Sequence, residues 1–61
     1  MTRKDYVLIA EAIEPVVTAT HLDPLVIAGA RRTAFRLADS LAADNPRFDH
    51  DRFLKACGVT P

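Results

Sequence analysis

The residues of this 61-residue chain with chemistry to offer are a basic cluster, two histidines, one cysteine and a pair of glutamates. Arg31, Arg32 and Arg36 form the basic cluster. Arg32 and Arg36 lie one turn apart on a helix, the spacing at which guanidinium groups share a face and can contact phosphates. The plainer reading is a solvated face, with Arg36 paired to Asp39 or Ser40. His50 and Cys57 are seven residues apart. That is two helical turns, or about 10.5 Å of rise. A shared metal ion or proton transfer needs side chains three or four residues apart. Asp49 and Asp51 do not repair the separation. The expectation is therefore a small buried cysteine near a helix end and an exposed histidine in a first turn. His21, beside Asp23, reads as a surface histidine, and Glu11 with Glu14 as an ordinary acidic face. No glycine-rich phosphate loop and no Ser-His-Asp set is present. Active sites need clefts, which chains this short rarely enclose. No enzyme, no catalytic or metal-binding residue and no cofactor is expected.

The elements that carry these residues read as helical throughout. Thr2 and Asp5 stand in the S/T-x-x-acid arrangement that caps a helix start. Tyr6, Ile9, Ala10 and Ile13 then recur at helical spacing and make one apolar face. Leu8 and Ala12 point toward the opposite side. Pro15 lacks an N–H and disfavours helical geometry at Glu14, so the first helix is expected to end or kink there. Residues 15–22 are β-branched at Val16, Val17, Thr18 and Thr20. A lone strand would have no partner, which leaves a kinked continuation or an extended connector.

The second helix is expected over about 24–43. Asp23 supplies the N-cap and Pro24 the first helical position. Ile27, Ala30, Ala34, Leu37 and Leu41 form its stripe, widened by Phe35, Ala38 and Ala42. Gly29, near its start, costs about 1 kcal/mol against alanine, offset if another helix crosses closely there. Asn45-Pro46 stops the helix. The third helix is expected over about 50–57, capped by Asp49. Phe48 and Phe53 stand in hydrophobic-staple geometry. Gly58 and Val59 then fit a Schellman ending folded back on Leu54. The architecture is all-α: one three-helix domain, 1–61, with a long central helix. The expected core is Tyr6, Ile9, Ile13, Ile27, Ala34, Phe35, Leu37, Ala38, Leu41, Phe48, Phe53 and Leu54.

Composition narrows the function. Eight basic and eight acidic side chains give zero net charge, which removes the general electrostatic drive toward nucleic acid. One cysteine cannot form an internal disulfide. No apolar run nears the roughly 20 residues of a membrane span. Arg3 and Lys4 mimic a signal-peptide n-region, but Asp5, Glu11 and Glu14 break the apolar run that should follow. A cytoplasmic protein with a reduced thiol is expected. A chain of about 60 residues buries only roughly 60% of its unfolded surface, and its core supplies no more than about 3–5 kcal/mol.

Two segments carry a resemblance. RKDY at residues 3–6, followed by an alanine-rich amphipathic helix, resembles the opening of short uncharacterised proteins encoded by phages and prophages. ADNPRFDHDRFLKACG at residues 43–58 is similar to their ending, with the NPRFD turn, the FL pair and a cysteine near the C-terminus. The resemblance covers about a third of the chain. It implies a phage-type origin and a bacterial cytoplasmic setting, and it assigns no site residue.

The expected function is protein–protein binding without catalysis, with a homodimer as one form. Val7, Leu8, Val16 and Val17 are the surplus apolar residues expected to make that surface. The alternative is a small nucleic-acid-binding regulator that uses Arg31, Arg32 and Arg36.

Overall fold

In a computed structural model, residues 1–59 are described. They form three helices: α1 (Arg3–Val17), α2 (Pro24–Asp44) and α3 (His50–Ala56), with no strand among the described residues. Each helix packs against both others. The fold is all-α, with the long central helix and short third helix that the capping signals predict.

α2 and α3 start on side-chain caps, and at the start of α1 Asp5 reaches back to Thr2. The Asp5 carboxylate accepts the Thr2 backbone N–H at 2.9 Å and the Thr2 hydroxyl at 3.2 Å. Asp23 accepts the Leu25 N–H at 2.8 Å, directly across Pro24 at the first helical position. Asp49 accepts the Arg52 N–H at 3.0 Å. Each bond to a backbone N–H satisfies an orphan donor at a helix N-terminus and contributes about 1 kcal/mol. Asp23 and Asp49 are therefore structural residues before they can be anything else.

Pro15 does not end α1. The helix runs through it to Val17. A proline in the last turn removes only the hydrogen bond its own N–H would have given, and Glu11 and Pro15 are both exposed there. Two features hold the final turn. The Thr18 N–H and hydroxyl both donate to the Glu14 carbonyl, at 3.0 and 2.9 Å. Val17 is also pulled into the core, only 7% exposed.

α3 ends in a Schellman motif. Gly58 has φ +77°. Its N–H donates to the Lys55 carbonyl, and the Val59 N–H donates to Leu54. This left-handed geometry favours glycine. Space makes a second demand: a Cβ on Gly58 would lie 2.8 Å from the Thr18 methyl carbon. The end of α3 thus nests against the end of α1.

The core is built from unequal contributions. α1 and α2 bury Ala10, Val17, Ala34 and Ala38 most deeply. The C-terminal segment buries Phe53, Leu54, Cys57 and Val59. Alanines let the two long helices approach, and the short third helix fills the junction with large side chains. Tyr6, Ile9, Ile13, Ala30, Leu37, Leu41 and Phe48 pack around this centre, half-buried. Ile27 is also half-buried. Phe35 corrects the expected core, because it is 44% exposed. One residue is 100° of helix rotation, so with Ala34 pointing inward Phe35 stands on the flank.

Candidate interaction surface

The surplus apolar residues of α1 do not form one patch. Leu8 is 66% exposed with Val7, 45% exposed, next to it, and Val16, 37% exposed, lies two turns further along the helix. Val17 is the correction: it is a core residue and is not available to a partner. Val7 and Leu8 are 100° apart around the helix, and Val16 lies on the far flank from Val7. A shallow surface on α1 joins Val7 and Leu8 with Lys4 and Glu11. Leu8 sits between the two opposite charges, four residues after Lys4 and three before Glu11.

Arg31, Arg32 and Arg36 are all exposed on α2. None forms an ion pair among the described residues, where the only such pairs join His50 to Asp39 and Asp51. The expected Arg36–Asp39 pairing is therefore replaced: the Asp39 carboxylate lies 2.8 Å from His50 Nε2. Phe35 stands on the same helix between Arg31 and Asp39, four residues from each. Leu25 is 82% exposed at the start of α2, with Val26 beside it. Gly29 has no heavy atom within 4 Å of where a Cβ would be. No helix crosses there to justify it.

Sequence reasoning missed a groove that adjoins the α1 surface at Arg3 and Val7. It lies between the start of α1, the α2–α3 turn and α3, with a volume of about 380 Å³. Tyr6, Val7, Phe48 and Phe53 contribute apolar surface, and Arg3, Arg47 and Arg52 stand around it. The aromatic rings form a ladder. Tyr6 and Phe48 meet edge-on at 4.7 Å between centroids, and Phe48 meets Phe53 at 5.4 Å. The ladder is fixed by the Phe48–Phe53 staple across the Asp49 cap and by a hydrogen bond from the Asn45 amide to the Tyr6 hydroxyl at 3.3 Å. A signal for this groove exists in the sequence. Each of its three aromatic residues has an arginine within three positions: Arg3 with Tyr6, Arg47 with Phe48, Arg52 with Phe53.

Comparison of the chain with protein-family models, with curated proteins and with solved structures gives no match. The surfaces must therefore be read from their own chemistry.

The titratable groups of the structure serve the fold. His50 is half-buried rather than fully exposed, and hydrogen bonding to Asp39, then to Asp51, raises its pKa above the ordinary imidazole value. The bond to Asp39 ties the start of α3 to α2. The Thr2 backbone N–H, then its hydroxyl, lowers the Asp5 pKa below the usual carboxylate value. Burial raises the Cys57 thiol above its ordinary value, which opposes thiolate nucleophilicity. His50 and Cys57 are not brought together; the His50 ring is engaged by carboxylates and the sulfur is enclosed in the core. His21 is exposed on the α1–α2 connector. No group of three or more His, Cys, Asp or Glu among the described residues is placed to hold a metal ion. Among the described residues, no helix is long and apolar enough to cross a membrane.

Proposed function

We propose that the chain acts by protein–protein binding, with no catalytic step, and that one of its partners is a second copy of itself. The observation that carries this reading is the outer surface of α1. Leu8 projects there with Val7 beside it, between Lys4 and Glu11. An antiparallel pairing of two α1 helices across a two-fold axis at Leu8 puts Lys4 of each copy opposite Glu11 of the other. A surface of this kind is self-complementary, as an isologous dimer requires. The ion pairs would set register more than strength, and the apolar contact would add stability to a small core. The resemblance to phage-encoded proteins fits this role and suggests a bacterial cytoplasm as its setting.

Sedimentation equilibrium over a concentration series tests the reading. A dimer is expected at up to about 100 μM, equivalent to roughly −5.5 kcal/mol of association free energy. Leu8→Asp is expected to give a monomer with an unchanged helical spectrum, since Leu8 makes no core contact. A monomeric parent at that concentration removes self-association. A second reading is favoured by one observation: Arg31, Arg32 and Arg36 are exposed without an ion-pair partner among the described residues. Salt-dependent retention on DNA that is lost in the triple Arg→Ala variant would support a nucleic-acid regulator instead.

A further inference from the structure

We infer that the groove between the start of α1 and the α2–α3 turn docks an acidic, amphipathic helical segment of a different protein. The inference rests on the protein-binding reading; the groove shares Arg3 and Val7 with the Leu8 surface of α1 but holds Tyr6, Phe48 and Arg52 alone.

Three features of the groove define its occupant. The first is the apolar surface. Tyr6, Val7 and Phe48 offer rings and a branched side chain that remain partly open to solvent, in a hollow of about 380 Å³. Rigid aromatic surfaces of this type receive the apolar anchors of a partner helix, spaced at i, i+3, i+4 and i+7. The second feature is charge. Arg3 from the start of α1, Arg47 from the α2–α3 turn and Arg52 from α3 all line the groove. All three are exposed, and none has an ion-pair partner among the described residues. The one acid at the groove is Asp49, whose carboxylate is already engaged by the Arg52 N–H as the α3 cap. Three guanidinium groups against one capping carboxylate leave a local excess of positive charge on a chain whose net charge is zero. The complementary ligand is anionic at its edges.

The third feature separates a peptide from a nucleic acid. Single-stranded nucleic acid binds cationic grooves by stacking bases on open ring faces. Here Phe53 is buried and Tyr6 and Phe48 pack edge-on against each other, so the rings are engaged with one another rather than laid open as stacking platforms. Arg3, Arg47 and Arg52 can each take a carboxylate in bidentate geometry, while Leu- or Phe-type anchors cover the rings between them. An acidic amphipathic helix satisfies both demands at once. Rigidity favours the site as well. The staple, the Asn45–Tyr6 hydrogen bond and the Asp49 cap hold the ladder in place before any ligand arrives, which lowers the ordering cost of binding.

The test uses a fluorescein-labelled designed peptide of four helical turns, with Leu at the anchor positions and Glu at the flanking positions. Two controls accompany it: the same peptide with every Glu replaced by Lys, and a single-stranded oligonucleotide of matched negative charge. Fluorescence anisotropy with the wild-type chain should show saturable binding of the acidic peptide and none of the lysine peptide. Arg47→Glu/Arg52→Glu should weaken the acidic peptide by about tenfold or more, and circular dichroism reports whether that variant folds. An amide and methyl NMR titration of the wild-type chain needs no variant. It should move Tyr6 and Phe48 resonances, which belong to the groove alone, and leave Leu8, Leu25 and Val26 unmoved. Absence of saturable peptide binding overturns the inference, as does a titration that bypasses the groove. So does an oligonucleotide that binds through Arg47 and Arg52 more tightly than the peptide. Sedimentation of the same sample separates the two ideas. A monomer that binds the peptide keeps the groove and removes the dimer, and monomeric Leu8→Asp, whose substitution lies outside the groove, overturns the groove if it too ignores the peptide.

Discussion

The corner around α3 and the outer face of α2's first half are opposites. At the corner, one short stretch carries a cap, a staple, an aromatic ladder, a Schellman ending and a histidine bridge to the neighbouring helix. On α2, Leu25 is 82% exposed, Val26 and Phe35 are about half exposed on opposite flanks, and nothing lies within 4 Å of where a Cβ on Gly29 would be. The corner is over-determined by contacts within the chain, and the face is under-determined by them. Residues whose local preferences and tertiary contacts agree specify a fold. Residues whose presence no internal contact explains are where a partner's demands would show.

Substitutions can break or sharpen this contrast. The largest effect is expected at the corner. Phe53→Ala should destabilise the fold by roughly 3–5 kcal/mol, most of the stability of a domain this small; a denaturant midpoint close to the parent's would show that the staple ring is dispensable. The two glycines should then move in opposite directions. Gly58→Ala forces a side chain into left-handed backbone and against Thr18, and should cost at least about 1–2 kcal/mol. Gly29→Ala should stabilise the isolated chain by up to about 1 kcal/mol, because it improves helix propensity in open space. A loss of stability at Gly29 in a concentrated sample, but not in a dilute one, would mean that a second chain closes against that helix. Phe35→Ala should change monomer stability by no more than about 0.5 kcal/mol in thermal melts, in contrast to Phe53.

The smallest effect concerns His50. Its folded pKa lies above its unfolded value near 6.5. The bridge to Asp39 is therefore fully present below that unfolded value, and its contribution is lost as pH rises through the raised folded value. Melting temperature should decline slightly across that window in the parent and stay flat in Asp39→Asn/Asp51→Asn. An equal slope in both would assign the pH dependence to other groups.

What could be read from the sequence was set by the range of the interaction. Asp23-Pro24, Asp49 and Gly58 act over two to five residues, and each helix boundary they mark is found within a residue of its expected place. Pro15 leaves an end or a continuation open, and what decides for continuation to Val17 comes from elsewhere: Val17 reaches the core and Gly58 packs on Thr18, contacts that no window around residue 15 contains. Phe35 misleads because an apolar stripe drawn from periodicity is wider than the two neighbouring helices can cover. The groove was hidden for the same reason. Arg3 and Arg47 are 44 positions apart in the chain, and only the fold brings them around one hollow.

The position of Cys57 has a further consequence. It is the chain's only thiol, and it is fully enclosed in a core to which all three helices contribute. A thiol reagent can reach the sulfur only when that core opens. The rate of its labelling is therefore a clock for opening events, readable by mass without any introduced probe. In the regime where closing outpaces reaction, the clock reports the free energy of opening. Any ligand that binds the closed form alone must slow it, in proportion to its occupancy.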